Sequence, residues 1–200
     1  METSQAIRER RAVKHYDADF VMPEADKQEL LDLALQAPTS FNLQNWRFVL
    51  IEDEEKKKQV REAAWDQAQV TDAALTFVLC ADVKAWDKEP ARYWKDAPKE
   101  AQDILVPMIK PFYDGRDWMQ RDEAMRSVGI VAQTLMLAAK SKGYDSCPMI
   151  GFDTDKVGEI INLPEDHVIG MMLVIGKATK PAWPKPGQLP LDDVLVVNSF

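Results

Sequence analysis

Apolar positions along the chain follow two periods. Between about Pro23 and Gln36, Leu30, Leu31, Ala34 and Leu35 fall on one face at helical spacing. Pro23 suits the first turn of such a helix, and Pro38 ends it by restricting Ala37. From about Glu123 to Lys142, Val128, Val131, Ala132, Leu135, Ala138 and Ala139 form a wide apolar stripe that stops at Gly143. Shorter helices are predicted over Thr3 to Arg10, from about Glu54, and over residues 153–164, the last capped by Asp153 or Thr154. Continuous apolar runs predict three buried strands: RFVLIED (47–53), TFVLCADV (76–83) and HVIGMMLVIGKA (167–178). KGYDSCPMIGFD (142–153) reads as a connection between helices. Lys84 to Arg126 carries scattered aromatics and prolines at 90, 98, 107 and 111, and reads as one or two helices partly covering a site. Helices and strands that mix without regular βαβ alternation indicate a single α+β domain over 1–200. The Pro-rich stretch from 177 onward leaves it as an extended arm (177–200).

Charge narrows the function. A net charge of −8 argues against a nucleic-acid binder, whose affinity rests on clustered cations. Yet residues 7–15, IRERRAVKH, hold four of the 25 basic residues and one acid. A local positive patch on an acidic chain suits a small anion. Two cysteines and two histidines, Cys80, Cys147, His15 and His167, make no metal-binding spacing, so no metal is expected. Cys80 lies in an apolar run and reads as a small buried hydrophobe. The N-terminus lacks the apolar core of a signal peptide, and no run approaches the ~20 apolar residues of a membrane span. A cytoplasmic protein without membrane attachment is the expectation.

Three segments carry candidate chemistry. Arg10, Arg11 and Lys14 lie within five residues, where two guanidinium forks and a mobile ammonium can hold a phosphate. In extended backbone, 10, 12 and 14 face one way and 11 the other. APTSFNLQNWRFVLIED (37–53) places Thr, Ser, Asn and Gln at a helix–strand junction, a common place for a ligand. In KGYDSCPMIGFD the Pro-x-x-Gly turn exposes backbone N–H groups that can donate to a ring nitrogen. Each has a plainer reading: a solvated basic surface, turn chemistry, an ordinary connection. No catalytic triad or acid–base pair stands out, and His15 and His167 read as peripheral.

In order and spacing, these segments and the C-terminal GKATKPAWPKPGQLPLDDV resemble the FMN-dependent nitroreductase family along nearly the whole chain. The resemblance implies an α+β nitroreductase-like fold with a mostly antiparallel central sheet flanked by helices. It also implies a homodimer with two FMN sites at its interface, each C-terminal arm embracing the other subunit. Arg10 and Arg11 would hold the phosphate beside Ala12, and Lys14 would approach the N1/O2 edge of the ring. Pro38, Thr39, Ser40 and Asn42, with Gln44, match a loop that reaches the other subunit's flavin. Gln67 and Gln69 match amides at the pyrimidine edge, and Pro148, Met149, Ile150 and Gly151 match backbone crossing the ring near N5. Three departures stand out. Ala12 replaces a common Ser, Asp66 replaces a common Asn, and Gln188 stands where a cation is expected, leaving Lys185 as the nearest substitute.

The implied activity is ping-pong electron transfer from NADH or NADPH, through the flavin, to a small acceptor such as a nitroaromatic or quinone. No side chain need then act as nucleophile or base. Phe112 and Tyr113 are the candidate acceptor-pocket residues. The alternative is a flavin-binding or flavin-sensing protein without turnover.

Overall fold

A computed structural model describes Met1–Phe200. Four strands, β1 (Trp46–Leu50), β2 (Leu75–Asp82), β3 (Asp145–Met149) and β4 (His167–Gly176), form one sheet in the order β1-β2-β4-β3. Every pairing in it is antiparallel. Eight α-helices accompany the sheet: α1 (Thr3–Glu9), α2 (Glu24–Ala34), α3 (Glu54–Ala63), α4 (Gln69–Asp72), α5 (Lys99–Tyr113), α6 (Asp117–Ser141), α7 (Thr154–Ile160) and α8 (Leu191–Val194). The architecture is the α+β class read from the sequence.

The central strands explain the continuous apolar runs. Along β2, Phe77, Leu79 and Ala81 enter one core with Val128, Val131 and Leu135 of α6 and Leu30 and Ala34 of α2. The alternate residues Val78 and Cys80 enter a second core with Val60 of α3, Val157 of α7, Met172 and Val174. A strand buried on both faces needs apolar residues at both phases of the period-2 pattern. α3 and α7 begin where an Asp side chain accepts from the first turn: Asp53 from Lys56 N–H (2.8 Å) and Asp153 from Lys156 N–H (3.1 Å).

Two sequence expectations change, at residues 142–153 and at the start of α6, while α5 bears out a helix within 84–126. Residues 142–153 are not simply a connection, because Asp145–Met149 pairs with β4 as the sheet's fourth strand, from Asp145↔Gly176 to Met149↔Met172. Pro148 had suggested a turn, but proline is tolerated in a strand at a sheet edge. α6 starts at Asp117, ahead of the apolar stripe, and its polar opening is held by Gln120, whose amide donates to Tyr113 O (2.9 Å). α5 runs through Pro107 and Pro111. These are four residues apart and both exposed, so the hydrogen bonds they forfeit lie on the solvent side. Finally, α4 and α8 are single turns too short to show periodicity. No helix is long and apolar enough to cross a membrane.

The end of β2 carries a charge cluster. Asp82, 2% exposed, accepts from Lys84 N–H (2.9 Å) and faces Lys88 Nζ at 2.8 Å and Arg47 at 3.5 Å. Lys88 also meets Asp166, which contacts His167 Nδ1 at 2.7 Å. The hydrogen bond from Lys88, then that from His167, holds the Asp166 carboxyl down at about 2. A lowered carboxylate stabilises the fold above its ordinary value of about 4, and loses that contribution as pH falls toward 2. Lys88→Met should therefore flatten the acid limb of a stability–pH profile. It should also cost about 2 kcal/mol at neutral pH by leaving the buried Asp82 charge under-compensated. Denaturant titrations of both proteins from pH 2 to 7 check this; parallel acid limbs would refute it.

Candidate flavin site

After α1 the chain runs extended beside β3. Val13 N–H donates to Ser146 O (3.1 Å), Ala12 bridges Ser146 in parallel, and Tyr16 bridges Ala178. The alternation buries Val13 and exposes Ala12 and Lys14. Under this segment lies Cys147, fully buried. Burial pushes its thiol up, while Lys14 and Arg10 draw it down. The Ala12–Ser146 bridge and the Val13–Ser146 hydrogen bond set residues 10–14 beside this stretch of β3.

A second segment arrives from the turn between α3 and α4. Gln67 donates through Nε2 to Gly151 O (2.7 Å) and Ala64 O (3.1 Å). Gln69, buried, donates to Gln67 Oε1 (2.9 Å) and lies 3.8 Å from Met149 Sδ. Gly151 is closely approached: a Cβ there would sit 3.1 Å from the Trp65 ring and 3.6 Å from Gln67 Nε2. Residues 10–14, 67–69 and 148–151, remote in sequence, thus converge at the β3 edge.

These residues fit a flat, anionic group. Neither Arg10 nor Lys14 has an acid partner, although the chain is acidic overall. The buried Ser146 hydroxyl has no hydrogen-bond partner. The Gln69 amide and the exposed Ile150 stand at the same edge, whereas Gln67 Nε2 and the carbonyls of Ile150 and Gly151 are already paired within the protein.

Other expected residues stand elsewhere. Arg11 turns its Nη1 onto Arg8 O (2.6 Å) and Arg10 O (2.8 Å), closing the C-terminal end of α1. The loop after Pro38 is tied to residues 93–94, where Asn42 donates to Tyr93 O (2.7 Å) and Trp94 Nε1 donates to Phe41 O (2.9 Å). Within it, Thr39 Oγ1 accepts from Gln44 N–H (2.9 Å), and Ser40–Asn42 form a 3-10 turn. That loop enters β1, at the edge opposite β3 and three strand spacings away, or roughly 14 Å. No hydrogen bond links it to the 67–151 cluster. Lys185 and Gln188 lie on the exposed arm, where Gln188 contacts only Gly187 O. Of the aromatic pair, Tyr113 is buried against Trp86, and Phe112 keeps an exposed ring 5.3 Å from Phe41.

Sequence reasoning missed Ser146, Trp65 and Arg61. Asp66 forms an ion pair with Arg61, Nε to Oδ1 at 2.7 Å. Trp65 is 69% exposed, and the Trp65–Asp66 pair is left-handed (φ 54° and 57°) without a glycine to signal it.

Comparison with known proteins gives a consistent picture. The model of the Nitroreductase family matches residues 7–177. Protein DrgA of Synechocystis is 51% identical, with 99% of this chain and 97% of that protein covered. A Thermus thermophilus protein named NADH dehydrogenase is 29% identical over 98% of this chain and 96% of its own length. A structure from Exiguobacterium sibiricum, solved in complex with FMN, superposes with a TM-score of 0.90 at 29% identity, covering 98% of this chain and 97% of that one.

Proposed function

The chain belongs to the nitroreductase family, and from that premise we propose that it binds FMN and uses it to carry electrons from NADH or NADPH to a small organic acceptor, a nitroaromatic or a quinone. The observation that carries this reading is the convergence of the segment bearing unpaired Arg10 and Lys14 with Gln67, Gln69 and the 148–151 backbone at one sheet edge. When bound, the flavin supplies the hydride and electron chemistry. The chain's own residues bind and orient it. Arg10 would neutralise the phosphate, and Lys14 would bring positive charge to the ring, where it would favour accepting electrons. Gln69 would present its amide to the ring, held by Gln67, whose own amide is committed to Ala64 O, Gly151 O and Gln69, and Pro148, Met149, Ile150 and Gly151 would supply the backbone beside it. Phe112, packed on Phe41 of the loop before β1, would offer its aromatic surface at the partner's site.

A second copy completes the site. The arm beyond Lys177 exposes Trp183, Leu189, Leu191, Val194, Leu195, Val197 and Phe200, an apolar set that would gain by burial. Packed on a partner, such an arm makes an embracing homodimer. The Pro38–Asn42 loop, remote from its own chain's cluster, would then serve the partner's flavin. Removing residues 183–200 should convert a dimer to a monomer by analytical ultracentrifugation and release the flavin. A truncated protein that stays dimeric and yellow would refute this assembly.

The reading as a whole is tested by the absorbance spectrum of the purified protein. Oxidised-flavin bands, restored to the stripped protein by added FMN, are expected. A colourless sample whose thermal stability is indifferent to FMN would overturn it.

A further inference from the structure

Resting on the flavin reading, we infer that Arg61 is a positioning residue, which holds the Asp66 carboxylate away from the ring while keeping Gln67 and Gln69 aimed at it. Asp66 immediately precedes Gln67, whose amide touches Gly151 O, so this acid belongs to the wall of the site. A carboxylate beside the ring would repel the negative charge that reduction brings, at a cost set by distance and local dielectric. In this structure Asp66 faces the other way. Its Oδ1 takes Arg61 Nε at 2.7 Å, and its side chain is largely in solvent.

The same guanidinium reaches a second element. Arg61 Nη1 donates to Thr71 Oγ1 (3.0 Å) on α4, and the one Thr71 hydroxyl proton lies between Asp72 Oδ1 (2.8 Å) and Ala68 O (3.1 Å). One side chain therefore ties the last turn of α3 to the 65–66 turn and to α4, the two pieces that carry Gln67 and Gln69. The backbone between them is strained. Trp65 and Asp66 are consecutive left-handed residues, and neither is glycine. Asp66 N–H donates to Arg61 O (3.0 Å) and Gln67 N–H to Ala64 O (3.2 Å), which fixes the turn from the main chain. An exposed ion pair alone adds little stability. Its placement here acts on direction: it decides which way a charge points.

The test is a double-mutant cycle read on the bound flavin's midpoint potential and on FMN affinity of the stripped protein. Arg61→Ala should lower the potential and raise the FMN dissociation constant roughly fivefold. Asp66→Asn alone should not lower the potential. Arg61→Ala with Asp66→Asn should return the potential to the level of Asp66→Asn, because no charge remains to be released. Arg61→Lys should recover part of the wild-type value. Arg61→Gln, which retains a polar stem, serves if Arg61→Ala misfolds, and the same lowering and reversal are expected. An unchanged potential in both Arg61 variants, or a shift that Asp66→Asn fails to reverse, would overturn the inference. Failure of the wild-type protein to bind FMN would instead overturn the flavin reading beneath it.

Discussion

Arg10→Ala is expected to weaken FMN retention by about 10- to 150-fold, the equivalent of losing one charge-assisted contact worth ~1.5–3 kcal/mol. Arg10 is half-buried and without an acid partner, so its charge is free for a ligand. Arg11→Ala provides the contrast. Its guanidinium is committed to the carbonyls of Arg8 and Arg10 at the end of α1. Its loss should lower thermal stability modestly and leave FMN affinity within about twofold. Fluorescence titration of stripped protein with FMN separates the two variants. Equal losses for both would mean that the adjacent arginines act together, against the division of roles proposed above. Full flavin occupancy of Arg10→Ala after long dialysis would remove Arg10 from the site altogether.

Gly170→Ala should destabilise the protein by about 1–3 kcal/mol, as overpacking in a closed core does. Gly170 lies on β4 against α6. A Cβ there would sit 2.5 Å from Val128 Cγ1 and 2.9 Å from Val128 Cβ. Val128 is fully buried and β-branched, so it cannot swing aside. Either β4 or α6 must move. Adding Val128→Ala should recover part of the loss, giving a double mutant more stable than the sum of the singles predicts. Chemical denaturation measures both quantities. A Gly170→Ala protein as stable as wild type would show that this helix–sheet contact has slack the structure does not reveal.

Much of this architecture was legible because burial leaves a periodic record. β2 and β4 are apolar at both phases and α6 carries a full stripe, so their positions follow from local pattern. β3 was hidden because its five residues, DSCPM, include a proline and take their strand identity from β4 beside them. That is tertiary context, which no local window contains. At the site, the exposed faces of Ala12 and Lys14 followed from strand alternation. The different settings of Arg10 and Arg11 were also implicit in that alternation. The Arg61–Asp66 pair and the partnerless Ser146 hydroxyl were not legible, since each depends on how a turn folds back onto another element. The loop after Pro38 stands apart, and under the proposed dimer its target would belong to the other copy of the chain.

The central claim is that this protein passes reducing equivalents through a bound flavin. Anaerobic stopped-flow mixing with NADH and, separately, NADPH tests it most directly. At least one donor should bleach the oxidised flavin bands, and a nitroaromatic or quinone added afterwards should restore them. Flavin bands that persist with both donors over minutes would contradict the account and leave a protein that holds FMN without turning it over.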